Sequence, residues 1–472
     1  MNAQQAPNQT LIEILRWRAL HQQERLAFTF LHHGEVEHDT IRFSGLDRQA
    51  RAIADRLAAL GVAPGERALL LFPTGIPYIA AFFGCLYAGV IAIPAYSPQR
   101  QRHLSRIQGI VADARPTIVL TEAALLSSLQ ARFETLDCPT MQWLATDSIS
   151  SSPTDASLLP TIDFDTPAFL QYTSGSTTDP KGVVVTHGNL AHNEAMIKEA
   201  MGHDAQSVFV SWLPLFHDMG LIGNMLQPIY IGAPCIFMAP GDFLQKPVRW
   251  LQAISRYHAH TSGAPNFAYD LCVAKVTAEQ RAGLDLSAWR IAYNGSEPVR
   301  STTLERFAET FAPCGFRPEA FYPCYGLAET TLFVSGGEKH CKANTCTLQA
   351  GALECNRVTP ASTEMRETRT LVSCGRSRQQ QRIIIVDPKT LIPCTEDRVG
   401  EIWIAGPNVA AGYWNRPEET RKTFGAKLME GGDSPFFRTG DLGFIRDGEL
   451  FVTGRLKDLL IIRGRNHYPQ DI

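Results

Sequence analysis

The sequence predicts an α/β fold organised on a largely parallel, doubly wound sheet and followed by a smaller β-rich region. Three observations support this. Continuous apolar runs at 68–72, 90–93, 117–121 and 168–172 alternate with helical patterns at 78–88 and 104–114. Strands that are apolar on both faces, set between helices, are covered on both sides, as in a parallel sheet. Beyond residue 374 the pattern turns to β, with strand-like runs at 382–386 and 401–405 and a hairpin, 442–446 against 449–453, across Asp447-Gly448. A chain of 472 residues, 44% hydrophobic and 19% charged, is long enough for several subdomains and ordinary in its balance.

Each element has a local reason. Thr10-Leu-Ile-Glu13 is a capping box that opens a helix through Leu15 and Ala19. The run 44–60 places Leu46, Ala50, Ile53, Ala54 and Leu57 on one helical face, and Gly61 ends it. Residues 148–160, rich in Ser, Thr, Asp and Pro, read as a connector. Strand 168–172 leads into a hydroxyl-rich loop, and 188–200 is helical. A strand at 208–213 ends at Pro214-Leu-Phe-His-Asp-Met-Gly220. An apolar run at 233–238, a helix at 248–257 and a strand at 291–294 continue the α/β theme. Residues 340–373 break it: they are polar, with few large apolar side chains and little periodicity.

Composition narrows the function. The formal net charge is −3, from 44 basic and 47 acidic residues, so nothing points to nucleic acid or to a membrane surface. The local basic group of Arg100, Arg102, His103 and Arg106 reads as a solvated helix face. The first ten residues are polar with no apolar segment behind them, which argues against a signal peptide. No apolar run approaches the ~18 residues of a membrane span, so stable membrane insertion is not expected. Eleven scattered cysteines read as reduced thiols in a cytoplasmic enzyme.

The loop Thr173-Ser-Gly-Ser-Thr-Thr-Asp-Pro-Lys181 carries the chemistry. Ser174, Ser176, Thr177 and Thr178 offer hydroxyl donors, Gly175 and Gly182 let backbone N–H groups approach an anion, and Lys181 adds a mobile cation. The set suits phosphate oxygens. It is not a Walker P-loop, which needs glycine before the lysine and a hydroxyl after it; here Pro180 precedes and Gly182 follows.

Six stretches stand in one order: 173–183, Leu213-Pro-Leu-Phe-His-Asp-Met-Gly-Leu221, Asn294-Gly-Ser-Glu-Pro298, Tyr325-Gly-Leu-Ala-Glu-Thr-Thr331, Arg438-Thr-Gly-Asp-Leu442 and Gly454-Arg-Leu-Lys-Asp458. Together they resemble the core motifs of the acyl-adenylate-forming superfamily, over the chain from near Leu11 to its end. The resemblance implies that superfamily's large N-terminal domain, 1–457: two doubly wound, mostly parallel sheets with helices, as α/β subdomains at about 1–200 and 201–340, and a β-rich subdomain at 374–457. It further implies that the small C-terminal domain is absent, leaving 458–472 as hinge and stub and adenylation weakened.

The implied reaction joins a carboxylate to the α-phosphate of ATP and expels pyrophosphate, so positioning and electrostatics supply most of the catalysis. The same resemblance implies the roles. Thr173, Ser174, Gly175, Ser176, Thr177, Thr178 and Lys181 hold the β- and γ-phosphates. Glu329 ligates Mg²⁺. Asp441 accepts from both ribose hydroxyls, and Arg455 reaches the ribose or the α-phosphate. Tyr325 and Gly326, with Leu327, Ala328 and Thr330 around them, and the stretch Asn294, Gly295, Ser296 and Glu297, face the adenine. Lys181, His217 and Glu329 are the implied catalytic set. His217 stands where amino-acid-activating members carry an aspartate for the α-ammonium, which argues against a zwitterionic substrate. An apolar acyl pocket follows, with Phe216, His217, Met219, Pro265, Phe267 and Tyr269 as candidate lining.

Phe216-His-Asp-Met-Gly-Leu-Ile222, Tyr325–Leu332 and Arg463-Gly-Arg-Asn-His-Tyr-Pro-Gln-Asp-Ile472 resemble the fatty-acyl-AMP ligases more narrowly. Members of that group carry an insertion where 340–373 lies. It is associated with restricting the mobile C-terminal domain and disfavouring CoA, and the acyl group passes to the phosphopantetheine of an acyl carrier protein. A fatty-acyl-CoA ligase and a non-catalytic acyl-adenylate-binding module are the alternatives. Cys341, Cys346, Cys355 and His340 match no zinc spacing.

Overall fold

The computed structural model describes the chain except residues 1–8, 98–100, 137, 139, 151–159, 173–179, 363, 430, 432–434, 459, 463–464 and 468–472; for 101–103, 460–462 and 465–467 it describes the backbone alone. Residues 173–179 of the loop expected to hold phosphates, and most of 463–472, therefore lie outside the described residues. The chain divides into two compact units. One comprises Met1–Lys198, His203–Ala253 and Ala410–Pro417; the other comprises Glu199–Gly202, Ile254–Val409 and Glu418–Ile472.

The first unit is built on the predicted apolar strands. Its sheet runs in the order Gly412–Tyr413, Gly182–Thr186, Pro167–Tyr172, Ile91–Tyr96, Arg67–Phe72, Ile118–Thr121, Gln142–Ala145. The pairs from Pro167–Tyr172 onward are parallel, while Gly182–Thr186 is antiparallel to both its neighbours. The core on one face gathers Leu69, Leu71, Ile93, Ile107, Val111, Val119 and Leu170, all at most 1% exposed. The helix Phe43–Ala59 buries every apolar residue assigned to its face, and Thr10 and Glu13 close the capping box reciprocally. A second group of strands runs Phe209–Ser211, Cys235–Met238, Leu26–His32, Val36–Arg42. The last two escaped the sequence reading, and Val36–Arg42 shows why: only Ile41 is buried, so this edge strand carries no apolar alternation to detect.

The second unit contains a parallel set, Thr261–Gly263, Ile291–Asn294 and Phe321–Gly326, continued antiparallel by Phe333–Gly336 and Arg376–Ser377. Its β-rich part is an antiparallel sheet in the order Arg382–Val386, Gly400–Ala405, Phe437–Arg446, Glu449–Arg455. The hairpin turn is the predicted Asp447-Gly448, with φ of 54° and 78°, the double left-handed conformation of a type I′ turn.

Residues 340–373 are more regular than their composition suggests. Thr345–Gln349 pairs antiparallel with Thr368–Val372. Cys346, Leu348, Leu353, Val358 and Leu371 pack into one cluster with Val399, Leu442, Phe444 and Phe451. The strand Thr345–Gln349 does alternate, burying Cys346 and Leu348, but over a span too short to stand out among polar neighbours. The segment is thus part of the β-rich core. Leu348→Ala, which removes a fully buried side chain, should lower unfolding stability by about 3 kcal/mol in urea titration; a loss below about 0.5 kcal/mol, the usual limit for a surface substitution, would show that the segment contributes no core.

Candidate active site

The second unit assembles a buried carboxylate around Asp441. Along Phe437–Arg446 the register against Gly400–Ala405 slips: Leu442 faces Glu401 and Arg438 faces Trp403, so three residues, Thr439, Gly440 and Asp441, bulge between them. Arg438 fixes the bulge. Its Nη2 and Nε donate to Glu401 Oε2 at 2.6 and 3.0 Å, and its guanidinium lies 5.4 Å from the Trp403 ring. Glu401 Oε2 also accepts from the Trp403 indole N–H at 3.0 Å, while Oε1 accepts from Gly440 N at 3.2 Å. Gly440 takes the left-handed φ of 71° that turns the chain. Asp441 N then donates to Thr439 Oγ1 at 3.0 Å, and the Asp441 side chain leaves the ladder.

Two groups meet the Asp441 carboxylate. The Tyr325 hydroxyl donates to Oδ2 at 2.6 Å, and Arg455 Nε lies 3.3 Å from Oδ1 across the hairpin. Burial pushes the Asp441 carboxyl above its ordinary value, and the Tyr325 hydrogen bond and the Arg455 charge only partly pull it back. Each carboxylate oxygen still has lone-pair capacity for a ligand hydroxyl.

Tyr325 ends a strand and opens a tight loop that carries Glu329. Gly326 is obligatory, since a Cβ there would sit 1.8 Å from Leu332 O. Leu327 N donates to Leu332 O at 3.0 Å, closing the loop around a short helical turn, Ala328–Thr330. Thr331 is held at φ 68° by its Oγ1, which donates to Asn408 O at 2.7 Å. Asn408 Nδ2 lies 3.3 Å from both Thr330 O and Phe333 O and 2.7 Å from Gln381 Oε1. Ala328 and Thr330 are buried while Glu329, at the tip, is partly exposed.

The stretch 294–298 lies against the start of the helix Asn266–Lys275. Asn294 is fully buried and its amide donates to Asn266 Oδ1 at 3.0 Å. Asn266 Oδ1 also accepts from Arg300 N, and its Nδ2 donates to Pro298 O at 2.6 Å. Glu297 Oε1 accepts from Phe267 N at 3.1 Å. Ser296, at φ 67°, is a strained non-glycine residue, and Gly295 allows Cys324 to approach closely. Asn294 and Glu297 thus spend their side chains on holding the loop.

In the first unit the stretch 214–220 turns tightly. A Cβ on Gly220 would meet Pro214 O at 2.2 Å. Tyr78 OH donates to Leu215 O at 2.9 Å, and Gln171 Nε2 to Phe216 O at 3.0 Å. The exposed His217 places Nδ1 2.6 Å from Asp218 Oδ1. Asp218 raises the His217 pKa against the opposing effect of burial. Burial pushes the Asp218 carboxyl up, and His217 together with the Met219 N–H more than reverses this, leaving it below its ordinary value. A π-turn, Ile222–Leu226, follows, with Asn224 Nδ2 donating to Met219 O at 2.9 Å. Met219 is buried and Phe216 partly so, its ring 5.6 Å from Tyr96. Lys181 Nζ lies 5.4 Å from the centre of the Tyr413 ring.

One pocket residue needs correcting. Tyr269 is fully buried in an aromatic core with Trp289, Phe307 and Phe321, its hydroxyl donating to Tyr293 O at 2.8 Å, so it is a core residue. The helix Asn266–Lys275 turns its buried face, Ala268, Tyr269 and Cys272, inward and leaves Phe267 43% exposed; Pro265, just ahead of the helix, is partly exposed. Sequence reasoning missed Asn266, Glu401 and Asn408. Glu401 alone had a signal, as one charge in an apolar strand.

The fold and this order of motifs define an α/β enzyme of the adenylate-forming class. The chain belongs to the AMP-binding enzyme family, whose model matches residues 15–414. It is 50% identical over 470 residues to a medium-chain-fatty-acid–[acyl-carrier-protein] ligase, JamA, of Moorena producens, covering 98% of this chain and 79% of that protein. It is 38% identical over 508 residues to a second such ligase, TtuA, of Teredinibacter turnerae, again 98% and 79%. It superposes with a TM-score of 0.90 and 46% identity on the crystal structure of a fatty acyl-adenylate ligase from Legionella pneumophila in complex with acyl adenylate and pyrophosphate, covering 99% of this chain and 80% of that one.

The raised Asp441 pKa gives a sign. The native state holds the proton better than the unfolded chain, so Asp441 favours folding below the ordinary carboxylate range and this contribution is lost as pH rises through the native value. Asp441→Asn should therefore raise unfolding stability near pH 7.5 by about 1 kcal/mol. The gain should shrink as pH falls toward 4, read by urea titration at both pH values; a pH-independent difference would contradict it.

Proposed function

We propose that this chain activates a medium- or long-chain fatty acid with ATP, forming fatty acyl-AMP and pyrophosphate, for transfer to the phosphopantetheine of an acyl carrier protein. The observation that carries this reading is the Tyr325–Asp441–Arg455 cluster beside a glycine-tight loop bearing Glu329, in a chain whose relatives are named as ligases of fatty acids to acyl carrier proteins.

Asp441 accepts the two ribose hydroxyls, and its burial makes those bonds strong. Tyr325 orients the carboxylate through its hydroxyl and offers its ring to the adenine, alongside Gly326 and the backbone of 294–297. Arg455 balances the carboxylate and reaches toward the α-phosphate. Lys181, with Thr173, Ser174, Gly175, Ser176, Thr177 and Thr178, holds the β- and γ-phosphates. Among the described residues no group of three or more His, Cys, Asp or Glu could hold a metal. Mg²⁺ held by Glu329 and substrate phosphates fits that donor set, since this ion is usually bound through one or two carboxylates plus phosphate and water oxygens. When bound, the ion neutralises charge on the leaving pyrophosphate. His217, its Nδ1 engaged by Asp218, turns Nε2 to the fatty carboxylate, and its raised pKa favours the cationic form that would steer that carboxylate to phosphorus. Phe216, Met219, Pro265 and Phe267 are the acyl-facing set. The domain reading of 1–457, with 340–373 as the family-type insertion and 374–457 as the β-rich subdomain, stands with this proposal. So does a cytoplasmic setting, supported by eleven cysteines with no disulfide.

Fatty-acid-dependent exchange of labelled pyrophosphate into ATP tests the reading, across chain lengths. Exchange is expected with fatty acids and not with amino acids, and thioester should form on a phosphopantetheinylated carrier protein in preference to CoA. Glu329→Gln should lower Mg²⁺-dependent exchange roughly 100-fold with an unchanged melting temperature. Exchange at the parental rate in that variant would remove Glu329 from the site, and thioester formed faster on CoA would favour a CoA ligase.

A further inference from the structure

The phosphate loop leaves the strand Pro167–Tyr172 and returns at Gly182–Thr186, and the described residues at its two ends are tied together by a distant part of the chain. Tyr172 OH donates to Asp113 Oδ2 at 2.6 Å, near the end of the helix Gln101–Ala114. Asp113 Oδ1 faces Arg416 Nη2 at 3.5 Å, and the same Nη2 donates to Pro180 O at 3.3 Å. One carboxylate–guanidinium pair thus joins the residue before the loop to the residue at its exit.

The segment that supplies Arg416 is fitted to this task along its length. Gly412–Tyr413 pairs with Val184 and Val183, and Ala411 N donates to Val184 O. Trp414 N donates to Gly182 O at 2.8 Å, and Asn415 Nδ2 to Asp113 O at 3.4 Å. The Tyr413 ring sits 5.4 Å from the Lys181 ammonium. Two glycines make room: a Cβ on Gly182 would meet the Tyr172 ring at 2.9 Å, and one on Gly109 would meet Pro180 at 3.0 Å. Asp113 and Arg416 are both partly buried, so their mutual attraction is less screened by water than that of a fully exposed pair.

We propose that Asp113 and Arg416, with Tyr413, are positioning residues for ATP: they fix the exit of the phosphate loop and thereby aim Lys181 at the β- and γ-phosphates. This rests on the adenylation reading above. The loop meets phosphates that ATP and pyrophosphate possess and that acyl-AMP lacks. Disturbing the tether should therefore weaken the first two ligands and spare the third.

Binding of pyrophosphate, ATP and a non-hydrolysable acyl-AMP analogue, measured by calorimetry on the full chain and on Arg416→Gln, Asp113→Asn and Tyr413→Leu, reads this directly. The expected result is a roughly tenfold weaker dissociation constant for ATP and pyrophosphate in each variant. Affinity for the analogue should stay within twofold, Arg416→Lys should recover part of the loss, and Tyr413→Phe, which keeps the ring, should match the parent. Unchanged ATP and pyrophosphate binding would overturn the proposal. So would equal losses for all three ligands, since those would mark a general structural role. Failure of the parent chain to bind acyl-AMP or ATP at all would instead overturn the adenylation reading itself, which separates the two ideas.

Discussion

A carboxylate kept out of water is the constraint on which the rest of the β-rich region depends. Asp441 is 9% exposed, and burial pushes its carboxyl above the ordinary value. The charge is tolerable because Tyr325 and Arg455 each address a different oxygen. They can do so only because the strand bulges to turn Asp441 out of the ladder, and the bulge stands because Arg438 and Gly440 are both anchored on Glu401. Glu401 is itself buried, at 2% exposed, with Arg438 and Trp403 donating to it. Two buried carboxylates are therefore stacked in dependence: one is fully paired and serves as foundation, while the other takes a single donor group on each oxygen. A buried group that lacks part of its hydrogen bonding is poised to bind whatever completes it.

The same logic, with less charge and more backbone, operates at the other motif loops. Ser296 and Thr331 both hold positive φ without being glycine. Such a residue costs of order 1–3 kcal/mol and persists only where its surroundings over-determine it. Here the surroundings are two asparagines, Asn266 and Asn408. Each reaches several backbone groups on the strained loop: Asn266 donates to Pro298 O and accepts from Arg300 N, and the Asn408 amide nitrogen faces both Thr330 O and Phe333 O. Neither asparagine belongs to a recognisable motif. The loops are read in the sequence, but their shape is held from outside it.

This explains what was legible. Buried parallel strands announce themselves, because both faces must be apolar, and Arg67–Phe72, Ile91–Tyr96 and Pro167–Tyr172 fall where the apolar runs predicted. A type I′ hairpin announces itself through Asp447-Gly448. The edge strand Val36–Arg42 does not, since one buried residue gives no period. The six motifs single out Asp441, Glu329 and His217 in the sequence because their neighbours are turn-formers at fixed spacing. Which side chains face inward was not legible: Asn294 and Glu297 brace the loop that carries them, and Tyr269 belongs to an aromatic core. Phe267 and Tyr269, two positions apart on one helix, look alike in a sequence, and only helix phase against the sheet decides between core and surface.

Separation along the chain sets a final limit on sequence reading and also suggests how the first unit is organised. Residues 410–417 return to a sheet whose other strands lie between Arg67 and Thr186, and they close its edge beside the loop that carries Lys181. An edge strand left open beside a polar, glycine-containing loop would be free to fray and to pair elsewhere. A two-residue strand is enough to prevent both, provided it is pinned. The pins are a partly buried ion pair, a backbone bond from Trp414 and the packing of Tyr413 against Lys181. A segment more than 200 residues away in sequence thus holds Pro180 and Gly182 where the chain re-enters the sheet.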